Sequence, residues 1–264
     1  MISPMRVCVL AVSLICGLSA PAAANPVSVT VFGDLQSELG CSTDFNLPCA
    51  QSALVYDAFD DVWQRAFSLP GGNFNYYAAL NDNIGMLYGL HAQSGGSAIP
   101  LSLAATQSVK FYYDDKTHWM TDNVNSVIAV LAGSFQSELG CTGDFQPDCL
   151  RSWLEDTNGD GIYSLTTTAL PAGSYSTIVA IDESFGETYG AGGKLGGGNI
   201  SFSVPTDGAA ITFLYNSRTH ILDILPHAEA VPEPASSLLF GAAVVLIARR
   251  RRYRNATNPL GGKP

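Results

Sequence analysis

The sequence predicts an all-β chain built from two tandem β-sandwich modules, and three observations carry that prediction. The first is an internal repeat: Leu35-Gln36-Ser37-Glu38-Leu39-Gly40-Cys41 returns as Phe135-Gln136-Ser137-Glu138-Leu139-Gly140-Cys141. Asp44, Phe45 and Cys49 return as Asp144, Phe145 and Cys149, and Trp63 returns as Tyr163. The match continues through Leu69-Pro70, Tyr88-Gly89 and Thr117-His118, which return as Leu170-Pro171, Tyr189-Gly190 and Thr219-His220. Such a period describes two homologous units of ordinary domain size, each long enough for its own core. The second observation is short β-branched or aromatic runs with period-two alternation, separated by turn chemistry. The third is a repeated pair of closely spaced cysteines.

In the first module the runs fall at 27–31, 62–67, 73–80, 108–114 and 118–122. Pro70-Gly71-Gly72, Asn81-Asp82-Asn83 and Asp114-Asp115 punctuate them. In the second they fall at 163–170, 174–181, 199–204 and 209–216. Many short strands per module suggest a sandwich. A short helical turn is expected near Cys49–Tyr56 and Cys149–Leu154. The glycine run Gly190–Gly198 reads as a flexible connection.

The two ends read as addresses. Residues 1–24 have the form of a secretory signal peptide: Arg6, an apolar run from Val7 to Leu18, and Ala22-Ala23-Ala24 for cleavage. The modules occupy 25–124 and 125–226. A linker, 227–237, carries Pro232-Glu233-Pro234, followed by a hydrophobic segment at 238–248 and a basic tail at 249–264. Arg249, Arg250, Arg251, Arg252 and Arg254 place that tail on the cytoplasmic side by the positive-inside rule. The segment reads as a transmembrane helix, although it falls short of the ~20 residues of a comfortable span. This tripartite end resembles the PEP-CTERM sorting signal of Gram-negative bacteria. The resemblance implies insertion in the membrane before processing, cleavage by an exosortase, and delivery to the envelope, outer surface or extracellular matrix, in the setting of exopolysaccharide production.

Charge follows the same division. Residues 25–230 hold 22 of the 23 carboxylates and 6 of the 13 basic residues. An ectodomain this acidic argues against a nucleic-acid partner, which demands positive charge. Cys8 and Cys16 leave with the signal peptide, and the other four pair as Cys41–Cys49 and Cys141–Cys149 in an oxidising compartment. A metal site is the rival reading, but no paired histidines accompany the cysteines.

The order QSELGC, Asp-Phe, second cysteine, Leu-Pro, Tyr-Gly and Thr-His is similar to the tandem accessory modules on the N-terminal side of bacterial pullulanases and amylopullulanases. The resemblance covers nearly all of residues 27–225. It implies an immunoglobulin-like sandwich and an accessory, starch-binding-like role beside α-glucan hydrolysis. The family pattern has Trp where this chain has Phe45, Phe145, Ile84 and Phe185. Because sugar recognition rests on flat aromatic faces with a few polar groups, the expected carbohydrate-binding residues are Phe185 and Tyr189 of the second module. Asp182, Glu183 and Glu187 serve as hydroxyl acceptors, with Tyr88 in the first module.

No catalytic residue, metal ligand or cofactor is assigned. Asp156-Thr157-Asn158-Gly159-Asp160-Gly161 imitates the opening of a calcium loop, but Thr167 stands where the closing Glu belongs. Carboxylates that could form a glycosidase pair (Glu38, Asp44, Asp82) are duplicated in or near both modules, which favours structure over catalysis. His118 and His220 read as sandwich-edge residues. The expected function is a non-enzymatic exported protein that binds α-glucan or exopolysaccharide weakly. The alternatives are a structural or adhesive envelope protein without sugar binding and, last, an uncharacterised hydrolase.

Overall fold

The computed structural model describes residues 26–226. The signal-peptide, Pro-Glu-Pro, hydrophobic and arginine-rich segments lie outside the described residues, and so does the transmembrane expectation attached to 238–248. Among the described residues no helix is long and apolar enough to cross a membrane.

The first module contains β1 (Val29–Gly33), β2 (Val55–Asp57), β3 (Val62–Leu69), β4 (Gly72–Leu80), β5 (Leu87–Tyr88), β6 (Ile99–Leu103), β7 (Gln107–Tyr113) and β8 (Met120–Asp122). One sheet runs β1-β4-β5, with β6 also on β4, and the other runs β2-β3-β7-β8. The second module contains β9 (Ala129–Gly133), β10 (Trp153–Leu154), β11 (Ile162–Thr167), β12 (Gly173–Ile181), β13 (Ser184–Tyr189), β14 (Ile200–Val204), β15 (Ile211–Asn216) and β16 (Leu222–Pro226). Here the sheets run β10-β9-β12-β13, with β14 also on β12, and β11-β15-β16. All pairings are antiparallel.

Buried side chains from both sheets meet in each module. Val31, Leu35, Tyr76, Leu101, Val109 and Phe111 fill the first; Leu131, Phe135, Val179, Ile211, Phe213 and Tyr215 fill the second. The expected helical turns are single 3-10 turns at Ala50–Ser52 and Leu150–Ser152. β6 was not anticipated from the run of the sequence, because Pro100 interrupts it. The strand survives because it pairs only with β4, leaving proline on an edge. The expected strand at 118–122 begins only at Met120, because His118 takes a left-handed φ of 58–61° shared with His220. Gly190–Gly198 is not a slack connection. Its backbone closes on itself through Gly190 N–H to the Lys194 carbonyl, Ala191 N–H to Gly198 and Gly196 N–H to Thr188.

The repeated heptapeptide is a brace. The buried Gln36 amide accepts from Gly33 and Asn46 N–H through Oε1 and donates through Nε2 to the Asn46 carbonyl (2.9 Å) and Ser52 Oγ (2.8 Å). Gln136 repeats the arrangement with Gly133, Gln146 and Ser152. Asp44 and Asp144 accept from the backbone N–H of Ser37 and Ser137. Gly40 and Gly140 turn the chain at φ 93° and 95°, where a Cβ would be strained. Disulfides Cys41–Cys49 and Cys141–Cys149 close both loops.

Candidate functional site

The residues expected to bind sugar sit on and around β13. The β12–β13 register breaks between the Ile181–Ser184 and Ala180–Thr188 pairs, so Phe185, Gly186 and Glu187 bulge out of the ladder before Tyr189 pairs with Val179. Phe185 is 53% exposed. The Tyr189 hydroxyl donates to Glu187 Oε1 at 2.7 Å, which pushes that hydroxyl's pKa up.

The tyrosines are not open platforms. The Tyr189 ring stacks on His220 with centroids 3.8 Å apart and planes 1° from parallel. Tyr88 stacks on His118 at 4.1 Å. Each histidine is also fixed at its edge: His118 Nδ1 lies 2.7 Å from the Tyr113 hydroxyl, and His220 Nδ1 lies 2.9 Å from that of Tyr215. Burial pushes both of those phenols well above the usual tyrosine range. One ring face of Tyr88 and Tyr189 is therefore spent on the scaffold.

Asp182 and Glu183 form the left-handed turn between β12 and β13. Burial raises the Asp182 carboxyl. The Glu183 carboxylate is turned away from a sugar-facing role. It pairs with Lys110 Nζ at 2.6 Å and accepts from the Tyr112 hydroxyl at 2.6 Å, both in the first module. Of the six expected residues, Glu187 and Tyr189 come together, Phe185 stands exposed in the bulge beside them in sequence, Asp182 sits in the adjoining turn, Glu183 joins the two modules, and Tyr88 stands in the other module.

The structure adds a cleft that local sequence patterns did not single out. A cavity of about 430 Å³ in the first module is lined by Phe32, Phe45, Tyr77, Ile84, Leu87 and Gly95 with Gly96. Phe32 and Tyr77 lie directly opposite across β1 and β4. Phe45, held outward at φ 50° by the braced loop, meets Phe32 edge-on at 5.4 Å and is 52% exposed. Ile84, 72% exposed, forms a wall. The corresponding cross-strand pair in the second module is Ala132 opposite Ile178, without aromatic faces. That difference between the copies was the available signal, but it needs the strand register to be seen.

The other candidates are scaffold. Asp156 accepts from Gly159, Asp160 and Gly161 N–H at 2.8, 3.1 and 3.0 Å, so its carboxylate organises its own turn. No cluster of three or more metal-ligating side chains occurs among the described residues. Glu38 and Glu138 accept from the neighbouring Ser37 and Ser137 hydroxyls.

Comparison with known proteins agrees with this architecture. Residues 28–120 and 128–222 each match the pullulanase X25 domain, and residues 230–252 match the PEP-CTERM protein-sorting motif. The chain is 30% identical over 207 residues to amylopullulanases of Thermoanaerobacterium thermosulfurigenes and Thermoanaerobacterium saccharolyticum. That stretch is 74% of this chain but only 10% and 15% of those proteins. A solved pullulanase from Bacillus acidopullulyticus aligns at 23% identity with a TM-score of 0.33, covering 64% of this chain and 17% of that one. The likeness is to accessory regions, and the sorting motif marks export across the membrane to the cell envelope. With both modules matched from end to end, the chain belongs to the pullulanase X25 domain family, as a tandem pair joined to a PEP-CTERM sorting motif.

Proposed function

We propose that the protein is a non-catalytic component of the outer surface or extracellular matrix of a Gram-negative cell that binds polysaccharide weakly. The polymer is α-glucan or exopolysaccharide. One observation carries this reading: the half-exposed Phe45 ring over the Phe32–Tyr77 pair forms a hydrophobic cleft on the surface of the first module. Pyranose rings stack on such faces. Phe185, with Glu187 and the free side of Tyr189, supplies a smaller surface on the second module. The test is electrophoretic retardation in gels containing amylopectin, glycogen or the native exopolysaccharide. Loss of one stacked ring costs about 1 kcal/mol, roughly a five-fold weakening. Phe45→Ala is therefore expected to lose most of the retardation and Phe185→Ala a smaller part; equal mobility of wild type and both variants in every gel would leave the structural or adhesive reading. The histidine-capped tyrosines favour that second reading, since they are scaffold in both modules.

Processing follows from the C-terminal sequence. The run from Leu238 to Ala248 amounts to ~16 Å of helix against a hydrocarbon core of ~30 Å. Five arginines beyond it oppose transfer of the tail. The exported form is expected to end near Pro232. Mass spectrometry of the C-terminal peptide from the native host checks this, and an intact Arg249–Arg254 segment on the surface protein would instead mean a retained anchor.

A further inference from the structure

We propose that a cavity between the two modules is a binding pocket for a single neutral saccharide unit, separate from the polymer-binding cleft on the first module. The cavity holds about 460 Å³, within the range of ~300–1,000 Å³ usual for small-molecule sites. Both modules line it: Asp61, Asp114 and Lys116 from the first, Arg151, Trp153 and Glu155 from the second.

Two of its buried lining side chains each carry one polar atom without a partner. Trp153 is 3% exposed and Glu155 6% exposed. The Trp153 indole Nε1 and Glu155 Oε2 have no hydrogen-bond partner. Only four buried side-chain atoms among the described residues are in that condition, and two of them line this one cavity. A buried polar atom left unpaired is costly, so a ligand that satisfied both would recover that cost.

The lining defines the ligand. Carboxylates of Asp61, Asp114 and Glu138 repel an anion such as phosphate. Lys116, 3.1 Å from Asp114 and 3.3 Å from Asp61, and the Arg151 guanidinium, 3.8 Å from Asp61, neutralise the acids and oppose a cation. Burial, then the charge of Asp114, raises the Glu155 carboxyl well above the usual range; its hydrogen bonds with Asp114 and Thr117 occupy one side of the group and leave Oε2 to accept from a ligand. Leu139, Leu150 and Leu165 give an apolar floor, and Thr157, Ser164 and Thr166 put hydroxyls around it. A donor indole, an accepting carboxyl oxygen and hydroxyls over an apolar floor suit a neutral molecule with several hydroxyls and a C–H face, which is a pyranose.

The test is calorimetric titration of the full chain with glucose, galactose and maltose, with sodium phosphate and calcium chloride as ionic controls. One saturable site per chain for at least one of the sugars is expected, with neither salt competing. Trp153→Phe keeps an aromatic ring but removes the N–H, and should weaken binding about five- to ten-fold. Ala169→Trp places a ring at the exposed edge of the cavity without disturbing buried side chains, and should abolish binding while the melting temperature stays at the wild-type value. Phe45→Ala should leave this titration unchanged even where it abolishes gel retardation, which separates the two sites. No saturable sugar binding, sugar binding indifferent to both Trp153→Phe and Ala169→Trp, or a calcium response in place of a sugar response would each overturn the proposal.

Discussion

Glu155 holds its proton at a cost in stability that depends on pH. Burial, then the charge of Asp114, raises its carboxyl above the ordinary value of 4.5, with Lys116 opposing the shift. The native state therefore keeps a proton that the unfolded chain releases, so stability falls as pH rises from about that value toward the raised native one. Below it both states are protonated and the group contributes nothing to the slope. Glu155→Gln imitates the protonated form at every pH. Its melting temperature should match wild type near pH 4 and exceed it increasingly toward pH 7; a constant difference across that range would mean that the carboxyl is ionised in the folded protein. Other single residues explain the repeat more simply. Gln36 and Gln136 are retained because a loop with several inward backbone groups needs one side chain that can satisfy donors and acceptors together. Gly159 has a different reason: a Cβ there would lie 2.1 Å from the His91 ring of the other module.

At the scale of elements, the braced loop is the unit that the sequence displays most openly. Glutamine, left-handed glycine, two cysteines and a capping aspartate recur at fixed offsets because each has a local partner. Disulfide pairing and the 3-10 turns were legible for that reason. A strand with alternating exposure, β15, was legible too, and so was β7 through its aromatic run rather than through alternation. β9 was less so, since all five of its residues are buried and no alternation marks it. The Phe32–Tyr77 pair was invisible because it is made by register between distant strands. Glu183 was misplaced as a sugar acceptor because its partners, Lys110 and Tyr112, come from the other module. The loop's disulfides can be weighed directly. Closing a nine-residue loop removes unfolded-state entropy worth about 2.5 kcal/mol. Replacing Cys141 and Cys149 by serine together should lower urea stability by roughly that amount with the strand content intact. A loss near zero would show that Gln136 and Asp144 fix the loop without the bridge.

At the scale of the molecule, the two modules are welded rather than strung. Val62, Tyr112 and Trp119 of the first belong to the hydrophobic cluster of the second. Trp119 lies 4.8 Å from Trp153 and meets Tyr163 edge-on at 6.2 Å. Polar contacts surround this apolar centre: Leu150 N–H donates to the buried Asp60 at 2.9 Å, Arg151 donates to the carbonyls of Ala58 and Phe59, and Lys110 pairs with Glu183. An interface that buries two tryptophans and a carboxylate costs too much to open at low energy, so heating should unfold both modules in one transition. Trp119 is the residue to remove, because the first module's own core, around Val31, Tyr76 and Phe111, does not include it. Trp119→Ala should cost about 3–5 kcal/mol, the usual loss for a buried tryptophan, and fall on the junction alone. Scanning calorimetry should then resolve two transitions where the wild type gives one. A variant that still unfolds in a single transition at the wild-type temperature would show that the modules are coupled through the polar rim, and a wild type already split in two would show that they are not coupled at all.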